Sequence, residues 1–598
     1  MCGIVGYVGT KRDAIDVLLD GLSCLEYRGY DSAGVALASD PLDIYKRQGE
    51  LSALESAVPT ADLRGPACGI GHTRWSTHGP PSDRNAHPHA DESDRVAVVH
   101  NGIIENYQSL RDELSADGVT FTSETDTEVV PHLIGRALEA GRSPEAAFRA
   151  AIDRIEGSYA IAAVFADSDA IYATRKASPL VLGIGDEGYH LASDAPAFVE
   201  YTDRVCYLED GQFVRLEADG IAVTDANGSP VETTVETLEW DAEDAGKSGY
   251  DHYMHKEIHE QPTALRQCLR GRVDELNGTV TLEELDSVGS VSDVQLVACG
   301  TSYHAAVFGA SLLCDRGVHA TAMLASEYSS ERVPVDSSTL VVGVTQSGET
   351  ADTMRALREA NKAGGETVAV TNTVGSSAAR ECDHALYIRA GPEIGVAATK
   401  TFASQQVALT LLACHLGGEA THELVRALRD VPDQIQTILD TSQATSIAQT
   451  YVDSDAFFFI GRGSQYPVAL EGALKLKEIS YEHAEGFAAG ELKHGPLALV
   501  TAETPVFALV TGDDEQARKT VSNVKEVKAR GAPVVAVTDG RSDVDRYADH
   551  VLEVPPSTDI GTAITANVQL QLVAYWIAHE LGRSIDKPRH LAKSVTVE

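Results

Sequence analysis

The second half of the chain alternates short apolar runs with helical segments, and no other feature of the sequence restricts the fold as strongly. This alternation is typical of parallel α/β units, in which a crossover helix follows each strand. The clearest strand candidates are 294–299, 340–344, 456–460, 505–510 and 534–537. The pattern therefore predicts parallel sheets rather than hairpins.

Two stretches of this half, residues 285–430 and 450–585, begin alike, each with an apolar strand, a glycine-containing turn and a helix. We interpret them as a diverged repeat, and therefore as two doubly wound α/β domains related by duplication. Ligands of such sheets bind beyond the carboxyl ends of the strands. Functional residues are therefore expected in the turns that follow the strands.

Residues 2–238 have a different pattern, with short strand-like runs between Gly and Asp turns and helical segments among them. This mixture predicts an α+β domain with substantial sheets. The small, polar stretch 240–249 predicts a linker. A helix is expected at about 254–272, so that the linker and connecting helix together occupy 239–284.

The chain is strongly acidic, since 48 Lys and Arg against 89 Asp and Glu give a formal net charge of −41. Nucleic acid and anionic membranes are excluded as partners because their phosphates would be repelled. No apolar run approaches the ~18 residues of a spanning helix, and no signal peptide is visible, so a cytoplasmic protein is expected. Such a surface resembles that of halophilic proteins, in which salt screens the repulsion; an acidic mesophilic protein is the alternative.

The nine cysteines are odd in number, and no two have Cys-x-x-Cys spacing, which argues against a disulfide framework or a zinc site. Cys2 differs from the others, because removal of Met1 would give one residue both a thiol and an α-amine. That amine has a reference pKa of ~7.7–8.0 and can accept the thiol proton near neutral pH. The alternative is an incidental cysteine at position two.

Five motifs favour the nucleophile over the incidental cysteine. In chain order they are Cys2-Gly-Ile-Val-Gly, Glu26-Tyr-Arg-Gly-Tyr-Asp-Ser-Ala-Gly, His72-Thr-Arg-Trp-Ser-Thr-His-Gly, His100-Asn-Gly and Ser123-Glu-Thr-Asp. Together they resemble the glutaminase domain of N-terminal-nucleophile amidotransferases over essentially all of 2–238. The resemblance implies an αββα fold and hydrolysis of L-glutamine by Cys2.

The resemblance also implies roles for the residues around Cys2. Arg74 would hold the α-carboxylate of free glutamine through its bidentate fork, and Asp126 would hold the α-ammonium group. Asn101 and the Gly102 N–H would form the oxyanion hole. The pocket and its lid would be lined by two further residues, Trp75 and Thr77. Taken singly, Arg74 or Asp126 would suit a surface ion pair equally well.

Four histidines, His72, His78, His87 and His89, suggest a metal site only weakly, because such clusters also occur as hydrogen-bonding loop residues. The resemblance implies no metal and no cofactor.

Two turns of the first α/β repeat carry hydroxyl side chains between a strand and a helix. Hydroxyls and backbone N–H groups at a helix N-terminus make an anion site that suits a sugar phosphate. The residues are Thr301, Ser302, Thr345, Gln346, Ser347 and Thr350. Helix capping explains one such turn but not readily two. An ATP-binding P-loop is not supported, and 461–463 lacks a complete dinucleotide fingerprint.

This pattern resembles the sugar isomerase (SIS) domain, present twice. In the second copy the corresponding turn, 509–514, is acidic and would repel phosphate, so the first copy is expected to bind phosphate and the second to supply chemistry. Glu471, Lys475 and Glu478 lie at i, i+4 and i+7, on one helical face. A solvated salt bridge is the alternative for a generic helix.

Three longer motifs, at 470–481, 490–496 and 586–598, match the family in which a glutaminase domain precedes two SIS domains. This family transfers the amide nitrogen of glutamine to fructose 6-phosphate, giving glucosamine 6-phosphate and glutamate. By resemblance, Glu478 would move a proton between C1 and C2, supported by Lys475 and Glu471. His494 would assist ring opening, and Lys593, in a tail that closes the sugar site, would contact the open-chain sugar.

One departure is that Thr345 stands where relatives often have Ser; its hydroxyl donor remains, so the phosphate site is expected to survive. The resemblance implies a homodimer or larger assembly. Two rivals stay open: another amidotransferase with an N-terminal Cys, which would need a pyrophosphate-sugar or ATP site, and a non-catalytic SIS-domain sensor, which would not need Cys2.

Overall fold

Two antiparallel sheets face each other in the amino-terminal part of the chain. The computed structural model of the chain describes residues 2–59, 65, 67–238, 246–289, 291–418 and 420–596. It divides into two compact units, Met1–Ala245 with Ala592–Glu598, and Gly246–Leu591. The expected linker at 240–249 falls largely outside the described residues.

The strands of the first unit are β1 (Gly3–Gly9), β2 (Ser32–Leu37), β3 (Asp43–Gln48), β4 (Cys68–Arg74), β5 (His89–Ala90), β6 (Val96–Ile104), β7 (Gly157–Phe165), β8 (Ser168–Lys176), β9 (Val181–Ile184), β10 (Gly188–Ala192), β11 (Arg204–Tyr207), β12 (Phe213–Glu217), β13 (Gly220–Thr224) and β14 (Glu236–Thr237). Its α-helices are α1 (Ala14–Cys24), α2 (Leu51–Glu55), α3 (Tyr107–Ala116), α4 (Val129–Glu139) and α5 (Pro144–Ile152).

The sheet orders are β14-β11-β9-β10-β1-β4-β2-β3 and β13-β12-β8-β7-β6-β5. The inner faces of both sheets contribute one core, in which Ile4 and Ile70 pack with Val99 and Ala162. Helix α1 packs against β1 and β4, while α4 packs against β6, so that the layers run helix, sheet, sheet, helix. The predicted αββα fold is confirmed. Its central strands β1, β4 and β6 carry or adjoin the predicted glutaminase residues.

The second unit begins with α6 (Tyr253–Leu269), the expected connecting helix, which is three residues shorter at its carboxyl end than predicted. Its strands are β15 (Val273–Asp274), β16 (Thr279–Val280), β17 (Asp293–Ala298), β18 (Ala320–Leu324), β19 (Thr339–Thr345), β20 (Glu366–Thr371), β21 (His384–Tyr387), β22 (Ala456–Gly461), β23 (His483–Ala488), β24 (Val506–Val510), β25 (Val534–Thr538) and β26 (His550–Glu553). The later α-helices are α7 (Gly300–Asp315), α8 (Ala351–Lys362), α9 (Ser377–Glu381), α10 (Lys400–Gly417), α11 (His422–Thr441), α12 (Ala444–Tyr451), α13 (Gln465–Ser480), α14 (Glu515–Lys528) and α15 (Asp559–Glu580).

Both large sheets of this unit are parallel and share one strand order, β18-β17-β19-β20-β21 in the first and β23-β22-β24-β25-β26 in the second. Their strands are buried on both faces: Phe457 and Phe459 enter one core, while Phe458 and Ile460 enter another. This alternation follows the two-residue period of a strand. The two doubly wound domains predicted from the repeat are confirmed.

Helices α7 and α13, which follow the first strand of each sheet, pack against each other. A single core runs through both sheets by way of α6, α7, α10, α11, α13 and α15. The carboxyl edge of the first sheet therefore lies beside the helix that carries Glu471, Lys475 and Glu478. Within the described residues, no helix is both long and apolar enough to cross a bilayer.

Candidate functional site

Cys2 lies immediately before β1, and its thiol is held by the residue that follows β4. The N–H of Trp75 donates to Cys2 Sγ at 3.2 Å, and the thiol lies 3.4 Å from the Trp75 carbonyl oxygen. The Cys2 carbonyl accepts from Arg28 Nε at 3.1 Å and from Asn101 Nδ2 at 3.0 Å. The backbone and side chain of Cys2 are thus both fixed, while Met1 falls outside the described residues.

The orientation of the Asn101 amide is set by a buried histidine. Nε2 of His72 lies 3.1 Å from Asn101 Oδ1 and 3.0 Å from the His100 carbonyl oxygen. Both neighbours are acceptors, so Nε2 carries the proton. Burial lowers the pKa of His72 to about 3, and the ring is neutral at physiological pH. The amide oxygen therefore points at His72, and Nδ2 points at Cys2 and at Ser193 Oγ, 2.8 Å away.

Arg74 ends β4 and is almost fully buried. Its Nη2 donates to the carbonyl oxygens of His78 and Gly79, the latter at 3.1 Å. Its Nη1 is buried and has no hydrogen-bond partner among the described residues. Burial lowers the pKa of Arg74, opposed by negative charge at Cys2, Asp31 and Asp126, but a guanidinium stays protonated. One arm of the fork is therefore open to an anionic ligand.

Asp126 is buried and receives only local hydrogen bonds. Its Oδ2 accepts from the Ile104 N–H at 2.9 Å, and Oδ1 accepts from the Thr127 hydroxyl at 3.4 Å. Gly102, on β6, has φ of +119°, and a Cβ there would lie 2.1 Å from the Ser158 carbonyl oxygen, so only glycine fits. Trp75 is half-buried, edge-on to Tyr30, and Thr77 is exposed. The predicted glutaminase residues thus gather on the neighbouring ends of β1, β4 and β6.

Three of the four histidines noted in the sequence pack against one another as rings. His72 stacks on His87 with ring centroids 4.3 Å apart, and His87 lies 4.9 Å from His89. Burial lowers the pKa of His87 and His89 well below the usual range. His78 lies apart, edge-on to Tyr107. Across the described residues, no three His, Cys, Asp or Glu side chains are placed to hold a metal ion.

In the second unit, Glu471, Lys475 and Glu478, the three α13 residues predicted for the sugar site, form one buried network with α7. Lys475 Nζ donates to Glu478 Oε2 at 2.6 Å and to Thr301 Oγ1 at 3.0 Å, and lies 3.3 Å from Glu471 Oε1. Burial disfavours the ammonium, but the carboxylates of Glu471 and Glu478 outweigh it and raise the pKa of Lys475. Glu471 is fully buried, whereas the Glu478 side chain is 22% exposed. Glu478 is therefore the carboxylate that a substrate can reach.

A fifth member of this network, His304, was not predicted. Its Nδ1 lies 2.8 Å from Glu471 Oε2, and Glu471 Oε1 accepts from the Thr301 hydroxyl at 3.0 Å. The two carboxylate oxygens of Glu471 are thus occupied from α7. The available signal was the i, i+3 spacing of Thr301 and His304 on an otherwise apolar helix.

The turn between β19 and α8 brings the other predicted hydroxyls together. Thr345 Oγ1 lies 3.0 Å from Thr350 Oγ1, and the Gly348 N–H donates to Thr345 Oγ1 at 3.2 Å. Ser347 Oγ accepts from the Glu349 N–H at 3.2 Å. At the neighbouring strand end, Ser302 Oγ accepts from Gln405 Nε2 at 3.0 Å. Gln346 anchors the turn through its carbonyl oxygen, which accepts from the Asn372 N–H.

Glu349 places a negative charge in this turn but directs it away from the hydroxyls. Its carboxylate accepts from the Ser377 N–H and hydroxyl, both at 2.8 Å, at the start of α9. Gly348 has φ of +70°, and a Cβ there would lie 2.1 Å from Ser376 Oγ. The turn thus packs closely while keeping its donors at the carboxyl edge of the sheet.

Two further residues were predicted for the sugar site. His494 is exposed in a short 3-10 helix, Glu491–His494. Lys593 belongs to the segment Ala592–Glu598, which groups with the first unit. Their roles, and closure of the sugar site by the tail 586–598, stay predictions.

Comparisons with known proteins agree with the division of the chain into an amino-terminal αββα unit and a second unit of two α/β domains. A glutamine amidotransferase domain model matches residues 72–200, and the SIS domain model matches 290–414 and 450–581. The glutamine–fructose-6-phosphate aminotransferases (isomerizing) of Halobacterium salinarum and Symbiobacterium thermophilum are 52% and 50% identical to the chain, each over 100% of both proteins. The C-terminal domain of the glucosamine-fructose-6-phosphate aminotransferase of Francisella tularensis is 36% identical, with a TM-score of 0.53, over 57% of this chain and 99% of its own.

Proposed function

Because the chain belongs to the glutamine–fructose-6-phosphate aminotransferase (isomerizing) family, we propose which of its residues perform each step of that reaction. The enzyme transfers the amide nitrogen of glutamine to fructose 6-phosphate and isomerises the product from ketose to aldose, giving glucosamine 6-phosphate and glutamate. This is the first step of hexosamine biosynthesis. The observation that carries the residue assignment is the open Nη1 of Arg74, buried beside Cys2.

Free glutamine would bind between Arg74 and Asp126. The α-carboxylate would pair with Arg74 Nη1, and the α-ammonium with Asp126. This guanidinium contact selects a free amino acid over a glutamine inside a peptide, which lacks a free α-carboxylate. Trp75 and Thr77 would line the pocket and its lid.

The amide carbon of glutamine would then be attacked by the Cys2 thiol, whose proton passes to its own α-amine once Met1 is removed. Negative charge on the amide oxygen would be stabilised by Asn101 Nδ2 and the Gly102 N–H. In the free enzyme Nδ2 already donates to the Cys2 carbonyl and to Ser193. The oxyanion would therefore take one of these two hydrogens. Collapse releases ammonia and a glutamyl thioester, which water hydrolyses to glutamate.

The phosphate of the sugar would bind at the hydroxyl-lined edge of the first parallel sheet, formed by Thr301, Ser302 and the turn Thr345, Gln346, Ser347 and Thr350. Several neutral donors surround a dianion there without a fixed positive charge. His494 would assist opening of the furanose ring, and Lys593 would contact the open-chain carbonyl.

Ammonia would add to the C2 carbonyl of the open-chain sugar and lose water to form an imine. Glu478 would take a proton from C1 and return one to C2, which converts the 2-imine into the 2-amino aldose. Lys475 donates to Glu478 and would hold its carboxylate in position. Glu471, whose oxygens accept from His304 and Thr301, would in turn support Lys475.

Substitution of Cys2 by Ala tests the assignment. We expect no glutamine-dependent glucosamine 6-phosphate and no glutamate release, with unchanged fructose 6-phosphate binding by calorimetry. Intact-mass measurement of the wild-type amino terminus tests the removal of Met1. Full glutamine turnover by a chain that retains Met1 would contradict the role of the α-amine.

Three further properties belong to this proposal. A cytoplasmic location is proposed from the sequence and is tested by fractionation. The family resemblance implies a homodimer, which light scattering tests. Adaptation to high salt follows from the net charge of −41, because screening relieves the repulsion among carboxylates. Full activity after prolonged dialysis into dilute buffer would contradict it.

A further inference from the structure

The chain passes between its two units twice, once after Ala245 and once after Leu591. On the second-unit side, both connectors reach one carboxylate. Asp586 Oδ2 accepts from the Tyr253 N–H at 2.9 Å, and Oδ1 accepts from the Met254 N–H at 3.0 Å. Lys247 Nζ lies 3.7 Å from the same group. The incoming and outgoing segments are therefore joined within the second unit.

Asp586 caps the amino terminus of α6, a helix whose own N-cap residue makes no capping bond. His252 occupies the N-cap position of α6, and its side chain makes no capping bond. The first N–H groups of a helix need acceptors and carry partial positive charge. Here the Asp586 carboxylate, 333 residues along the chain from Tyr253, supplies both the acceptor oxygens and a negative charge. Its side chain is only 13% exposed.

The backbone of Asp586 also holds a loop at the carboxyl edge of the first parallel sheet. The Val396 N–H donates to the Asp586 carbonyl at 3.1 Å. Beside it, the Gly395 N–H donates to Glu257 Oε1, on α6, at 3.1 Å. This loop follows β21, and Asn372, at the end of β20, donates to its Gly391 carbonyl at 2.7 Å. The proposed phosphate site lies on this edge.

A second attachment lies farther along the outgoing segment. The Arg589 N–H donates to the Tyr481 hydroxyl at 2.9 Å, and the Arg589 guanidinium lies 4.4 Å from the Tyr481 ring centroid. Tyr481 directly ends α13, three residues after Glu478. The segment 586–589 is thus attached to the sheet edge at one end and to the α13 helix at the other.

We propose that Asp586 and Tyr481 are positioning residues that couple glutamine hydrolysis to aminosugar formation, by fixing where the two connectors leave the sugar-binding unit. Neither residue needs to touch a substrate. The inference rests on the proposed function, because coupling has meaning only if one unit releases the nitrogen that the other consumes. Loss of either attachment would leave the start of the segment that carries Lys593 less firmly held.

The reaction balance supplies a direct readout, since coupled turnover gives one glucosamine 6-phosphate per glutamate. We expect Asp586→Ala to lower this ratio by roughly threefold to tenfold, the scale of effect that a small misplacement has on a reacting pair. Tyr481→Phe, which keeps the ring and removes only the hydroxyl, should lower it by about twofold, as for one neutral hydrogen bond. The KM for glutamine should stay unchanged in both variants.

A matched control separates coupling from simple helix capping. Asp514 Oδ1 caps α14 by accepting from the Ala517 N–H at 2.8 Å, away from both connectors. Asp514→Ala should lower the melting temperature as Asp586→Ala does but leave the product ratio near that of wild type. If Asp586→Ala does not fold, Asp586→Asn, which keeps one acceptor oxygen, takes its place.

Equal product ratios for the Asp586 and Asp514 variants, or an unchanged ratio in Tyr481→Phe, would overturn the inference. Wild-type enzyme is measured in parallel. If it releases glutamate but forms no glucosamine 6-phosphate, the proposed function fails instead, and that outcome is distinct from a loss confined to the variants.

Discussion

The two parallel sheets of the second unit have the same strand order but different chemistry at their carboxyl edges. In the first, the turn after β19 presents the hydroxyls of Thr345, Ser347 and Thr350. In the second, the turn after β24 is closed by a carboxylate from the turn after β25: the Gly512 N–H donates to Asp539 at 3.0 Å, and Arg541 pairs with Asp539. The Gly512 backbone donor is therefore already occupied there.

Helices α7 and α13, which follow β17 and β22, also differ in the side chains that they bury. Helix α7 buries mainly Ala, Gly, Phe and Leu side chains, whereas α13 buries Glu471 and Lys475. The first copy thus presents hydroxyl donors in its turns, and the second buries carboxylates and an ammonium, which fits the proposed division between phosphate binding and proton transfer. The comparison teaches that the shared fold does not determine the chemistry, which depends on a few residues at the strand ends.

The sharpest test of this division is Glu478→Gln. An amide cannot accept the C1 proton, so the rate of aminosugar formation should fall by ~10²–10⁴. Glutamine hydrolysis should persist, and both products are measured in the same samples by chromatography.

The control for Glu478→Gln is Glu482→Gln. This carboxylate lies just past the same helix, where it pairs with Arg583, and its loss should leave the rate within a small factor of wild type. An undiminished rate of aminosugar formation by Glu478→Gln would mean that the second copy does not carry out the proton transfer.

The next largest effect is expected from Lys475→Met, which leaves the fully buried Glu471 without its counter-charge. Loss of one member of a buried pair costs ~3–5 kcal/mol, measured as the free energy of unfolding in urea. The exposed pair Lys528–Asp549 is the matched control, and Lys528→Met should cost at most ~1 kcal/mol. Similar costs for the two variants would show that the α13 network is not buried in solution.

The stability difference between wild type and Lys475→Met should depend on pH. The pKa of Lys475 is raised in the folded state, so its stabilising contribution is fully present below the unfolded value of ~10.4 and is lost as the pH rises through the folded value. The gap between the two unfolding curves should therefore narrow only in strongly alkaline solution. A gap that narrows on acidification instead would contradict the raised pKa of Lys475 as its cause.

A smaller effect is expected at the phosphate turn of the first copy. Ser347→Ala and Thr345→Val should each raise the KM for fructose 6-phosphate by about tenfold, as expected for one lost hydrogen bond to a charged group. Thr511→Val changes a hydroxyl in the equivalent turn of the second copy, where it contacts Gln465 and Thr562. That variant should leave KM unchanged; an equal rise would indicate that both edges bind the sugar.

The smallest effect is expected from Asp539→Asn. The substitution weakens the bonds to Gly512 and Arg541 and should cost about 1 kcal/mol of stability by thermal unfolding. Because we assign the sugar phosphate to the edge of the first sheet, steady-state kinetics should show the wild-type KM for fructose 6-phosphate. A several-fold change in KM would contradict the assignment of the edge.

Much of the architecture could be predicted because it depends on local pattern. Apolar runs and glycine turns predicted the strands β17, β19, β22, β24 and β25 to within a residue or two at their ends. The resemblance to glutaminase domains assigned Cys2, Asn101 and Arg74 to one site. In the structure Asn101 Nδ2 donates to the Cys2 carbonyl, and the N–H of Trp75, next to Arg74, donates to the Cys2 thiol, while the roles of these residues stay a prediction.

The remainder depends on contacts between distant parts of the chain, which local pattern does not encode. Thr301 and Lys475, 174 residues apart, meet because α7 packs on α13. The orientation of Asn101 follows from the proton on His72 Nε2, which the His100 carbonyl fixes there from a different strand. The acidic turn of the second copy was expected to repel phosphate by its Asp513 and Asp514, but the backbone donor there is taken by Asp539, from a different turn.

The closed edge of the second sheet has a practical consequence. A polypeptide built from two copies of one module ordinarily offers two equivalent places to a small competitor such as inorganic phosphate. Here Asp539 already serves as a resident anion in one of them, so a calorimetric titration with phosphate should saturate at a single equivalent per chain. The endpoint would report directly how many chains in a preparation carry a working sugar pocket.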